Sequence, residues 1–130
     1  MTREREHRAR SVKDLVRRWF GRDTTPQVYL IYADELHGQR EFVWGATPSR
    51  DAALAMVSRP SPFPGTETWF MAAPWIRDAD PQGNTVFVVM FGEPDNCLGK
   101  VVYSSRQSAE DHATLKGGGS LFVLPMELTA

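Results

Sequence analysis

The chain has 130 residues, 42% of them hydrophobic and 11% aromatic, enough for one domain with its own core. Its formal net charge of −1 gives no overall electrostatic bias, and its single cysteine, Cys97, excludes an intramolecular disulfide and a cysteine-based zinc site. No apolar run approaches the ~20 residues of a membrane-spanning helix, the charged N-terminus lacks the apolar centre of a secretory signal, and Glu4, Glu6 and Asp14 do not suit a transit peptide. With one free thiol, these features predict a cytoplasmic protein without a membrane span.

Residues 1–20 carry seven basic and three acidic side chains, net +4, whereas the remainder carries eight and thirteen, net −5. Within "RARSVKDLVRRWF", Ala9, Val12, Leu15, Val16, Trp19 and Phe20 recur at helical spacing while Arg10, Lys13, Arg17 and Arg18 fall mostly elsewhere. The pattern predicts a basic amphipathic helix of about four turns, stopped at Gly21 and followed by the linker "GRDTTPQ". Residues 1–21 thus read as an arm and 22–130 as a single α+β domain.

Beyond the arm, "VYLIYA" (28–33) and "EFVWGA" (41–46) are β-branched and aromatic, and the polar segment between them predicts a hairpin. A helix follows over "TPSRDAALAMVSR", with Thr47 as N-cap and Pro48 at its first position. "PSPFPG" must end it. "TETWFMAAPW" (66–75) reads as a strand and "IRDADPQGN" as a turn. The apolar run "TVFVVMF" (85–91) suits a central strand covered on both faces. A tight turn at "GEPDN" leads to a strand at 98–104. A second helix over "SSRQSAEDHATLK" has Ser104 and Gln107 at capping-box spacing, and "GGGS" separates it from a last strand at 121–128.

The order is one helix, then ββαβ twice, with units at 28–75 and 85–128. Residues 28–35 resemble 86–93, "VW" (43–44) lies over "VV" (101–102), "TWFM" over "SLFV", and Ser49-Arg50-x-x-Ala53 over Ser105-Arg106-x-x-Ala109. The offsets are 58, 56 for the helices, and 52, which raises an internal duplication. The fold expected is α+β: an N-terminal amphipathic helix, then two ββαβ units forming a mixed, mainly antiparallel sheet with both helices on one face. Omitting the first strand would give the ferredoxin-like βαββαβ order, but "KVVYS" is then surplus.

Motifs for chemistry are weak. "LKGGGS" (115–120) follows a helix and precedes a strand, the reverse of a phosphate-binding loop, and fits a helix end. "DADPQGN" (78–84) begins like a calcium loop, but Val89 occupies the twelfth position, where a glutamate is needed. His7, His37 and His112 sit in separate regions, without metal-ligand spacing. Cys97 has only Asp95 and Lys100 as local charged neighbours. No catalytic residue, metal or cofactor is assigned.

The expected function is a small non-catalytic protein-binding module, such as a regulator, an inhibitor or an immunity-type factor. Its contact residues would be Leu15, Arg17, Arg18, Trp19 and Phe20 of the arm, with Phe63, Trp69 and Trp75 of an aromatic-rich surface. A protein partner or self-association is the interaction this predicts. Two alternatives stand beside it. One is an enzyme or small-molecule binder with a pocket between the halves, using Tyr103, His112, Glu41 and Asp111. The other is nucleic-acid binding through residues 3–18.

Overall fold

The computed structural model describes residues 26–35, 38, 40–78, 83–94, 96–116 and 120–129, so the predicted N-terminal helix lies outside the described residues. Their elements run β1 (Gln27–Glu35), β2 (Glu41–Thr47), α1 (Arg50–Val57), β3 (Thr66–Ile76), β4 (Thr85–Glu93), β5 (Asn96–Tyr103), α2 (Arg106–Lys116) and β6 (Leu121–Glu127). The domain is therefore mixed α+β, with a six-stranded sheet in the order β2-β1-β3-β5-β4-β6. All pairs within each half are antiparallel, and those between halves are parallel. β1 is the middle strand of the first half, which excludes the ferredoxin-like reading.

The two halves are built on matching registers. In β1–β2, pairing slips between Ile31 and Tyr32 and leaves Trp44 as the extra residue; in β4–β5 it slips between Val89 and Met90 and leaves Lys100. Such bulges bend a strand and increase its twist. Aligning the bulges sets the second strands 56 apart, so Trp44 lies over Lys100 and the 58-residue pairing of "VW" with "VV" is two residues out. The third strands, matched through Ile31↔Phe70 and Val89↔Val123, are 53 apart rather than 52.

The bent sheet closes on itself. β3 meets β5 in parallel at Trp75↔Val102, and the far edges meet at the equivalent bridge, Leu128↔Ala46. Pro26 O accepts from Trp75 N, as Asn84 O does from Leu128 N, at 2.9 and 2.8 Å. A further parallel contact, Glu41↔Asn96, joins β2 to β5 across one end of this barrel. These seams are short, one or two residue pairs each.

Alternation along the strands then sorts the side chains. Val28, Leu30, Tyr32, Val43, Ala46, Trp69, Ala73, Trp75, Val86, Val88, Met90 and Val102 fill the interior. On the outer face α1 covers Ile31 and Phe70, and α2 covers Phe87 and Val89. Every residue from Val86 to Met90 is buried, as expected of a strand covered on both faces.

The recurring Ser-Arg-x-x-Ala has a local explanation. Ser49 and Ser105 are the helix caps: their hydroxyls accept from Ala52 N and Ser108 N at 3.1 and 3.3 Å. Ala53 and Ala109, one turn on, are fully buried against the sheet. The predicted caps, Thr47 and Ser104, are occupied elsewhere: Thr47 still belongs to β2, with its hydroxyl accepting from Ser49 N at 3.1 Å, and the Ser104 hydroxyl accepts from Trp75 Nε1 at 3.1 Å.

At the end of β3, Asp78 Oδ1 accepts from Ser105 N at 3.2 Å. Desolvation works against the Asp78 carboxylate, but bonds from the Ser108 hydroxyl and the Asp78, Ser105 and Ser104 amides outweigh it. Its pKa is lowered below 3.8. The unfolded carboxyl thus binds its proton at higher pH than the folded one, so this contribution is present above about pH 4 and lost as the pH falls through the lower folded value. Asp78→Asn should destabilise the protein near neutrality, and its deficit relative to wild type should shrink as urea melts are taken from about pH 6 to about pH 3.

Candidate protein-docking surface

The aromatic residues singled out in the sequence separate into two groups. Trp69 and Trp75 are not surface anchors: they are buried in the barrel, because both occupy inward positions of β3. Trp69 stacks on Tyr32 with centroids 4.2 Å apart and donates through Nε1 to Glu41 Oε2 at 3.1 Å. Trp75 Nε1 donates to Ser104 Oγ at 3.1 Å. Phe63 does reach the surface, at 36% exposure. Leu15, Arg17, Arg18, Trp19 and Phe20 lie outside the described residues, as do residues 3–18 as a whole.

The interior holds a polar contact that joins the halves. Tyr32 OH accepts from Gly99 N at 2.7 Å. Burial pushes the Tyr32 phenol far above its usual range; the Gly99 amide acts against this, and nearby Cys97 adds to the rise. The phenol is therefore neutral and structural. A Cβ at Gly99 would collide with Leu30 Cδ1, so a larger residue there would force that fully buried side chain to shift. Sequence reasoning missed this pair, which lies 67 residues apart and has no local signal.

The four residues of the alternative pocket are not brought together. Glu41 faces the interior beside Trp69. Tyr103 and His112 are bonded to each other at 2.8 Å, with Tyr103 packed in the outer cluster under α2, and Asp111 is exposed, bonded to Gln107 at 2.8 Å. Among the described residues no group of three or more His, Cys, Asp or Glu is placed to hold a metal, and no helix is long and apolar enough to cross a membrane.

What does stand out is a difference between matched positions on the outer face. In the first half, Phe42, Ala33 and Thr68 form a row across β2, β1 and β3. The eight-residue connection 58–65 covers it. Phe63 from that connection packs edge-on against Phe42 at 5.1 Å and Trp44 at 6.0 Å. Ala33 and Thr68 are buried and Phe42 half-buried. The matching row in the second half is Leu98, Phe91 and Leu121 across β5, β4 and β6. Its connection, 117–120, has four residues, and the row is open: Phe91 is 52% and Leu98 39% exposed. Leu115, near the end of α2, is also exposed.

Two residues along β4 and β5, Glu93 and Asn96 border this row, and Lys100 Nζ lies over the Phe91 ring, 5.7 Å from its centroid. The remaining carboxylates of that end, Glu41, Asp34 and Glu67, border the covered row of the first half. Single exposed hydrophobics are ordinary; here a registered pair is open where its counterpart is covered. Composition did not show this, because the open row becomes visible only when both halves are placed on one register.

The chain matches no protein-family model, and no curated protein or solved structure matches it.

Under the Phe63 cover, Trp44 Nε1 and Thr68 Oγ1 are buried without a hydrogen-bond partner. An unsatisfied buried polar group costs about 1–3 kcal/mol, while removing it in a shape-preserving way is neutral or favourable. Thr68→Val should therefore raise the unfolding free energy by about 1 kcal/mol in urea titrations, whereas a loss would mean that the hydroxyl is bonded after all.

Proposed function

We propose that the chain is a small non-catalytic module that binds another protein, and that it does so through the Phe91–Leu98 row. The supporting observation is the open row itself, matched position for position by a covered row in the same molecule. Apolar burial supplies the affinity. This surface replaces the buried Trp69 and Trp75 as the anchor. The regulator, inhibitor and immunity-type roles all use such a contact.

The test uses purified components. A partner that co-purifies in stoichiometric amount with the full chain is reconstituted and titrated by calorimetry against wild type and Phe91→Ser/Leu98→Ser. The reading expects at least about tenfold weaker binding by the variant, the loss expected from removing two central apolar contacts. A partner that binds both proteins equally would sink it.

We also propose that the two ββαβ halves descend from one duplicated unit. Support comes from the matched bulges, caps and seam contacts rather than from residue identity. If so, a tandem of two second halves should close the same seams and unfold cooperatively in a thermal melt; a tandem without a cooperative transition would count against common descent.

A further inference from the structure

We infer that the connection 58–65 is a lid: it lifts off the outer face of the first half while the barrel stays folded, and uncovers a row placed like Phe91–Leu98. This concerns the covered row and does not depend on what binds the open one.

The connection is attached only locally. Pro60, Pro62 and Pro64 have no backbone N–H to give to the sheet. Among the described residues, the hydrogen bonds that the connection does make stay close by. Ser58 N and Oγ donate to Leu54 O, and Arg59 N donates to Met56 O, all at the end of α1. Phe63 N donates to Ser61 Oγ, and Phe63 O accepts from Thr66 N and Thr66 Oγ1. Ser61 and Thr66 also share a bond between their hydroxyls. Thr66 is the first residue of β3 and stands at the end of the β1–β3 register. None of these bonds reaches Phe42, Ala33 or Thr68, the row beneath. The Phe63 ring, edge-on against Phe42 and Trp44, is what holds the cover down.

The groups beneath favour release. Trp44 Nε1 and Thr68 Oγ1 lack hydrogen-bond partners while the cover is closed, and among the described residues no other buried side-chain polar atom is left so. Lifting the cover lets water reach both, so each unmade bond favours the open state. The burial and ring contacts of Phe63, which is partly exposed even when closed, favour the closed one. These opposing contributions are of the same order, so the cover opens at far lower cost than the barrel unfolds.

Both ends of the connection are free to pivot. Gly65, next to β3, has φ 76°, and a Cβ there would meet nothing within 4 Å. At the other end α1 has finished, and residues 58–60 are exposed. The three prolines between keep the segment stiff, so it moves as one piece.

Thiol labelling of the full chain tests this. Thr68→Cys places a thiol under the cover, and Cys97, inside the barrel, is the internal reference. The two positions are alike in static exposure, 6% and 3%. A thiol is a weaker hydrogen-bonding group than the hydroxyl it replaces, so this probe favours the closed state and works against the inference. The introduced thiol should label at least about tenfold faster than Cys97 under native conditions, with a rate nearly flat in dilute urea; a thiol freed only by global unfolding labels steeply faster as urea is added. Ala33→Cys, fully buried in the same row, is a second probe that leaves Thr68 in place. Phe63→Ala combined with either should speed labelling of the introduced thiol at least about fivefold and leave Cys97 unchanged. Introduced thiols that label no faster than Cys97, or with the urea dependence of global unfolding, would overturn the inference. So would rates that do not respond to Phe63→Ala. None of these results bears on the partner titration at Phe91 and Leu98.

Discussion

Each half of this sheet is apolar on both faces, and each half has one helix. A helix can cover the outer face only, so the inner face of three strands must be buried by the other three. That requirement organises the molecule. It brings β3 against β5 and the end of β6 against β2, places the strand bulges where the sheet must bend, and commits Trp69, Trp75 and Tyr32 to the interior. A buried side chain of that size contributes about 1.5–3 kcal/mol; with these rings left exposed, either half alone would lose its principal stabilisation.

Much of this was legible in the chain. Strand and helix positions follow from period and from turn residues: "TVFVVMF" announces a strand with no polar face, and Pro60, Pro62 and Pro64 mark where α1 cannot continue. The repeated Ser-Arg-x-x-Ala marks two helix starts because capping and close helix–sheet packing are local demands. What the sequence could not show is which aromatics face inward. Tyr29 and Tyr32 lie three apart in one strand and end on opposite sides of the sheet, yet their sequence surroundings do not differ in kind. Trp69 and Trp75 looked like surface anchors because "PSPFPGTETWFMAAPW" is rich in Pro and aromatics. Closure, a relation among residues distant in the chain, turned them inward.

The candidate surface was illegible for a related reason. Neither Phe91 nor Leu98 is unusual for a strand. Their exposure acquires meaning from Ala33 and Phe42, the residues at the matched positions, which the same fold covers with an eight-residue connection carrying Phe63. The loop lengths, eight residues against four, were visible in the sequence, but their consequence was not until the register was known.

Within a frame whose halves match so closely, the departures carry the specific information. In the interior, Tyr32 faces Met90's position and Gly99 that of Val43; the phenol fills the space a glycine leaves and bonds its amide. That departure is mutually compensating, which marks it as structural. The outer-face departure is compensated only in part among the described residues: a covering loop is shortened, and although Lys100 lies over the Phe91 ring, Phe91 stays 52% exposed. Permanent exposure of an apolar pair invites unselective association, so the outer pair, unlike the interior one, is left in need of a cover.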